Sequence, residues 1–186
     1  MTNDAVHASI AACLVQANLS FATLIGQSGD KPVRVFQLEF ATTPTGGAPN
    51  RVTGYVAGPV LIVVAPLVLG DLTMRQEMAD KIASRFPLVR IVPSPSAADD
   101  QDVVWLEASV PMPQVDVGEL VPPWLVVPPF MVVGAATAFL TETYPTLVSF
   151  PEKRPPLPIM VAAFAQQPAA IAEKAASSGA SAKPAA

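Results

Sequence analysis

The chain has almost none of the residues from which reactive sites are usually built. Of its 186 residues one is histidine and one is cysteine. A lone Cys13 excludes an internal disulfide and any cysteine-rich zinc site. Its apolar helical surroundings point to a buried, inert thiol. A lone His7, near the start of the first helix, is expected on the surface and not as a ligand or base. Charge is scarce as well: Asp, Glu, Lys and Arg make up 14% of the residues, against roughly 25% in an ordinary globular protein. The net charge is −4 and the basic side chains are scattered, so the clustered positive field needed by a nucleic-acid binder is missing.

The familiar catalytic and cofactor motifs are also missing. Gly46-Gly47 and Gly54 to Gly58 precede a strand and no Lys-Ser or Lys-Thr follows them, so neither is a phosphate loop. There is no G-x-S-x-G, and Ser20, Ser28 and Ser96 have no histidine at a recognisable spacing. Asp99, Asp100 and Asp102 lack the glycine and terminal glutamate of a calcium loop and read as a solvated turn. No catalytic residue, cofactor site or metal site is assigned, and the chain is not expected to be an enzyme. The N-terminus has no basic stretch leading into an apolar core, as a secretory signal would, so the expected location is the cytoplasm.

What the chain has in quantity is apolar residues, at 51%, and proline, at 21 residues. In residues 4–18, Val6, Ile10, Cys13, Leu14 and Ala17 share one helical face. Residues 21–25 and 33–40 are two strands of a hairpin, with Phe36, Leu38 and Phe40 alternating with the wetter Gln37 and Glu39. Residues 60–69 are β-branched and apolar, which predicts a strand buried on both faces, kinked or split at Pro66. A helix follows over 73–86, capped by Thr73 with Gln76, with Met74, Met78, Ile82 and Phe86 turned inward. Residues 88–92 and 103–110 are two further strands. In the second of these Val104, Leu106, Ala108 and Val110 form the apolar face, and Trp105, Glu107 and Ser109 form the wetter one, with Trp105 covered by a loop or helix of the same chain.

The run at 120–141 contains no charged residue and is long enough on paper to cross a bilayer, but it holds Pro122, Pro123, Pro128 and Pro129. The prolines predict a connector followed by a helix that starts at Pro129. From 129 to 144 such a helix measures about 24 Å, short of the ~30 Å hydrocarbon core. From 151 onward the chain is rich in Pro and Ala, and its last nineteen residues contain one branched apolar side chain, Ile171. Residues 151–186 therefore read as a flexible tail behind a single domain at 1–150.

The elements form an α+β pattern: an antiparallel twisted sheet packed by helices, in the order helix, strands, helix, strands, helix. With 60–69 leading into 73–86, then 88–92, 103–111 and a closing helix, residues 4–146 resemble the type III secretion chaperone-like fold, in particular its YbjN-like branch. That resemblance implies a protein that commonly dimerises and binds proteins without transforming small molecules. The leading expectation is a non-catalytic, chaperone-like, homodimeric module that needs no cofactor and holds a protein partner or client. The candidate partner-binding residues are Trp124, Phe130, Met131, Val133, Gly134, Thr137, Phe139 and Leu140, with the small residues 134–138 allowing close approach. Two alternatives have other roles: a structural subunit of a virion, secretion or envelope assembly, or a membrane-associated protein with spans at 52–70 and 120–141.

Overall fold

A computed structural model of the chain describes residues 3–28, 31–40, 49–93, 102–113, 121–151 and 157. Along the chain run α1 (Asn3–Gln16), β1 (Phe21–Ser28), β2 (Lys31–Phe40), β3 (Asn50–Ala57) and β4 (Val60–Leu69). A 3-10 turn (Leu72–Met74) leads into α2 (Arg75–Arg85), followed by β5 (Arg90–Pro93), β6 (Val103–Pro111), α3 (Pro123–Thr143) and β7 (Val148–Ser149). The strands form one open antiparallel sheet in the order β1-β2-β3-β4-β6-β5, with β7 added beside β4. This is the expected α+β class. The segment at 52–70 is the β3–β4 hairpin, so it is no membrane-spanning helix.

The period-2 alternation sorts side chains onto two faces. One face presents Phe36, Leu38, Val52, Leu61, Val63, Leu67, Val104 and Leu106, and it packs against Ile10 and Leu14 of α1, Met78 and Ile82 of α2, and Val126, Phe130, Val133 and Leu140 of α3. The other presents Val35, Tyr55, Ile62, Val64 and Trp105, joined by Leu157. The 151–186 segment lies outside the described residues apart from Pro151 and this leucine. Strand β4 has neighbours on both sides and both faces covered, which is why its sequence is apolar without alternation.

Pro66 neither splits nor ends β4, which pairs with β6 from Val60 to Val68. On the opposite side, β3 pairing stops at Thr53↔Val64 and β7 pairing begins at Val68↔Ser149. The bonds Leu69 N to Asp102 O and Gly70 N to Leu147 O show that odd-numbered residues of β4 point their amides at β6 and even-numbered ones at β3 or β7. Pro66 therefore lacks its N–H at the gap between two partners, where no ladder bond is lost.

Local chemistry sets the turns. Asn18 adopts φ 55, so that Asn18 N bonds Val15 O and Leu19 N bonds Leu14 O, a Schellman closure of α1. Ala17, expected on the inner helix face, instead lies in this turn and is exposed. Gly58, at φ 58, permits the two-residue turn between β3 and β4. The expected capping box at the start of α2 is replaced by a cap on the 3-10 turn that leads into it, and α2 itself has no side-chain cap. The Asp71 carboxylate accepts from Thr73 N at 2.8 Å and from Thr73 Oγ1 at 2.6 Å, while Gln76 reaches forward to Asp80. An aspartate two residues earlier wins because an ionised oxygen is the better acceptor. His7 is also a correction. It shares a helix face with Ile10 and Leu14, is buried, and lies with its ring centroid 5.7 Å from that of Phe36.

The largest departure is α3. It begins at Pro123 and continues through Pro128 and Pro129 for 21 residues, where a connector and a helix from Pro129 were expected. Without N–H groups at 128 and 129, the carbonyls of Trp124 and Leu125 have no i+4 donor, and each ring crowds the preceding turn. Against that cost the same helix buries Val126, Phe130, Val133 and Leu140 on the sheet, each contributing about 1.5–3 kcal/mol. Burial outweighs local propensity over this stretch.

Candidate interaction face

Helix α3 is held in one rotational setting by contacts on three sides. At its start, the Val121 N–H donates to Ser9 Oγ at 2.5 Å, and the Cys13 thiol donates to Val121 O at 3.0 Å. Ser9 and Cys13 are one turn apart on α1, so together they grip both backbone groups of the residue that leads into α3. Burial pushes the Cys13 thiol up from its ordinary pKa, in keeping with the inert role expected of it.

On the sheet side two aromatic rings interlock with two glycines. The Phe130 ring occupies the place where a Gly54 side chain would stand, and a Cβ on Gly134 would lie 2.9 Å from Phe40 Cε2. Asn50 adds a polar pin: its Nδ2 donates to Thr137 Oγ1 at 2.6 Å and to Gly134 O at 3.3 Å, and Thr137 Oγ1 donates to Gly134 O at 2.7 Å. These bonds lie inside the core, where an unmade one is expensive.

Near the C-terminal end, α2 covers one flank. The Phe86 and Phe139 rings are 5.8 Å apart, and the Arg85 guanidinium sits 4.7 Å over the Phe139 ring. Tyr144 donates to Glu77 Oε1 at 2.8 Å, and Lys81 pairs with the same carboxylate at 2.9 Å while lying over the Tyr144 ring. Hydrogen bonding to Lys81 and Tyr144 holds the Glu77 carboxyl below its usual range, and contact with Tyr144 and Glu77 raises Lys81.

With those three sides engaged, the fourth faces outward. It carries Trp124, 73% exposed, then Pro128, Met131, 43% exposed, Ala135 and Glu142. Steps of four, three, four and seven residues keep them on one line opposite the sheet. Of the eight residues predicted to bind a partner, Trp124 and Met131 lie on this line. Phe130, Val133, Gly134, Thr137 and Leu140 are buried against the chain's own sheet, and Phe139 is half-buried under Arg85. The small residues at 134–138 serve mostly the intramolecular contact, through Gly134 and Phe40. Sequence reasoning missed Pro128 and Ala135; their spacing from Trp124 and Met131 was the available signal, hidden by placing the helix start at Pro129.

In comparisons with known proteins, no family model, no curated protein and no solved structure matches this chain. The functional reading therefore rests on the geometry.

The second sheet face offers a different arrangement. Glu107, expected on a wetter face, is fully buried; its Oε1 accepts from Arg90 Nη2 at 2.6 Å, Arg90 Nε at 3.2 Å and Ser109 Oγ at 2.6 Å. Its carboxylate and burial together push the Tyr55 phenol up, with burial the larger cause. Trp105 is buried in the same layer, covered within its own chain as expected. Where β3 and β7 part beside Pro66, Gln37, Arg51, Thr53, Trp105 and Pro151 line a pocket with free space of about 20 Å³, room for a single water. Among the described residues, no group of three His, Cys, Asp or Glu side chains is placed to hold a metal ion. Asp99 and Asp100 lie outside the described residues, and Asp102 is exposed.

Proposed function

We propose that this chain is a non-catalytic protein-binding module of the chaperone-like kind, which presents the outward line of α3 to a protein partner. The observation that carries this reading is a helix fixed on three sides whose fourth side exposes Trp124 and Met131 with no charge before Glu142. Exposed tryptophan and methionine on a rigid helix are the side chains that most often anchor an interface, because they bury much area for little lost freedom. The low charge of the whole chain favours the same reading, and Trp124 and Met131 are among its exposed large apolar side chains. The cytoplasm is the compartment we propose for it.

A photo-crosslinking amino acid placed at Met131 tests this directly. A covalent adduct to a protein is expected there and not from the exposed Ser84 on α2. Absence of any adduct at Met131, in cells and at high purified concentration alike, rejects the reading.

One observation favours a membrane as second reading. At 21 residues α3 spans about 31 Å, close to the ~30 Å hydrocarbon core, and it is apolar enough to cross. The Asn50 bonds and the Phe130–Gly54 interlock weigh against it, because crossing would strip them from the sheet. Carbonate extraction separates the two readings: the module is released, whereas a spanning protein stays with the membranes.

A further inference from the structure

We infer that the outward line of α3 docks against a second copy of the same chain, with the two α3 helices antiparallel about a two-fold axis near Met131. This rests on the reading of that line as an interaction surface and names its occupant.

Charge selects among occupants. No Lys or Arg occurs between Arg90 and Lys153, so α3 itself carries no cation for lipid headgroups or an acidic peptide. The cations beside it, Lys81 and Arg85 of α2, are on the flank and already engage Glu77, Tyr144 and Phe139. The one charge on the line, Glu142, lies at the helix C-terminus, where the helix dipole is itself negative. Two parallel helices would bring two Glu142 carboxylates together at two negative ends. In the antiparallel arrangement each Glu142 instead lies toward the N-terminal, positive end of its partner.

Shape points the same way. The line is bulky in its first half, at Trp124 and Met131, and small in its second, at Ala135 and Ala138. Trp124 and Ala138 each lie seven residues from Met131, about 10 Å along the axis. A two-fold axis near Met131 therefore sets each tryptophan over its partner's alanines, bulk against space, at both ends at once. A parallel pair would oppose Trp124 to Trp124 and leave a gap between facing alanines. A contact confined to one helix line of about 20 Å falls in the smallest class of interface, so the pair should come apart on dilution.

Single cysteine substitutions added to the full chain test the arrangement. Cys13 is buried, and the unaltered chain supplies the background. Met131→Cys, close to the axis, is expected to form a disulfide-linked dimer under mild oxidation. Trp124→Cys alone is expected not to link, and a mixture of Trp124→Cys with Ala138→Cys is expected to link at least several-fold above either variant alone. Sedimentation equilibrium should show a dimer that dissociates as concentration falls, and Met131→Glu should shift it to monomer while leaving the far-UV spectrum unchanged. Preferential self-linking of Trp124→Cys overturns the antiparallel arrangement. A strict monomer at the highest concentration, or a monomer that floats with zwitterionic phosphatidylcholine vesicles, overturns the pairing. If the chain is monomeric while position 131 still crosslinks to another protein, the pairing fails and the protein-binding function stands.

Discussion

The Phe130 ring of α3 lies directly against the backbone of Gly54 in β3, in space that a side chain on residue 54 would fill. No other residue type fits there without moving the ring, and the ring sets how closely α3 approaches the sheet. Gly54→Ala should therefore destabilise the fold by about 1–3 kcal/mol, read as a lower urea midpoint with an unchanged slope. Combining it with Phe130→Leu, which withdraws the ring, should cost less than the sum of the two single changes. Strict additivity would show that the two positions do not share this space.

Ser9 and Cys13 hold Val121 by its N–H and its carbonyl respectively. Ser9→Ala leaves the Val121 N–H buried and unpaired, and should cost about 1–3 kcal/mol. The thiol should resist aqueous thiol reagents in the native protein and react at once in denaturant. Its raised pKa also has a direction in pH. A thiol kept neutral by the fold stabilises it fully below the ordinary thiol pKa, and that contribution fades as pH rises through the higher folded value. Urea midpoints of the natural chain should fall between pH 8 and pH 10 more steeply than those of Cys13→Val. Parallel curves for the two proteins would remove the thiol as the cause.

Arg90 on the edge strand β5 donates twice to the buried Glu107 of β6. Arg90→Met removes the cationic partner of a carboxylate that water cannot reach, leaving it the Ser109 hydroxyl alone among these donors, at a cost of about 1.5–3 kcal/mol, since Arg90 itself is half-exposed. Replacing both, as Arg90→Met with Glu107→Leu, should recover much of that loss, because an apolar pair needs no desolvation of charge. Chemical denaturation of the three proteins checks the order of stabilities.

The strands were legible because alternation survives in the sequence: Phe36 and Leu38 go in, and Glu39 stays out. What alternation cannot register is what covers a face. The polar types Glu107 and Ser109 suggested water over the second side of β6, yet Leu157, far along the chain, packs on that same side. The α3 boundary was missed for a related reason. Local rules weigh Pro128 and Pro129 as breakers, whereas Val126, Phe130 and Leu140, buried across three strands, outweigh them through contacts that no local window contains. The partner-binding residues followed that boundary. With the start moved from Pro129 back to Pro123, Trp124 joins the helix, and the line through Pro128, Met131 and Ala135 comes into view.

Pro128 is exposed and lies on that line, so its effects on folding and on binding separate. Pro128→Ala restores an N–H for the Trp124 carbonyl and removes a ring from the preceding turn. A proline inside a helix costs about 3 kcal/mol, and its lower unfolded-state entropy returns about 1. The alanine variant should therefore be more stable by about 1–2 kcal/mol, visible as a higher thermal midpoint. If the proline is there to shape the outward line, the gain in stability should come with weaker self-association in sedimentation. A variant that is both more stable and equally associated would show that Pro128 contributes nothing to the face, leaving Trp124 and Met131 to carry it.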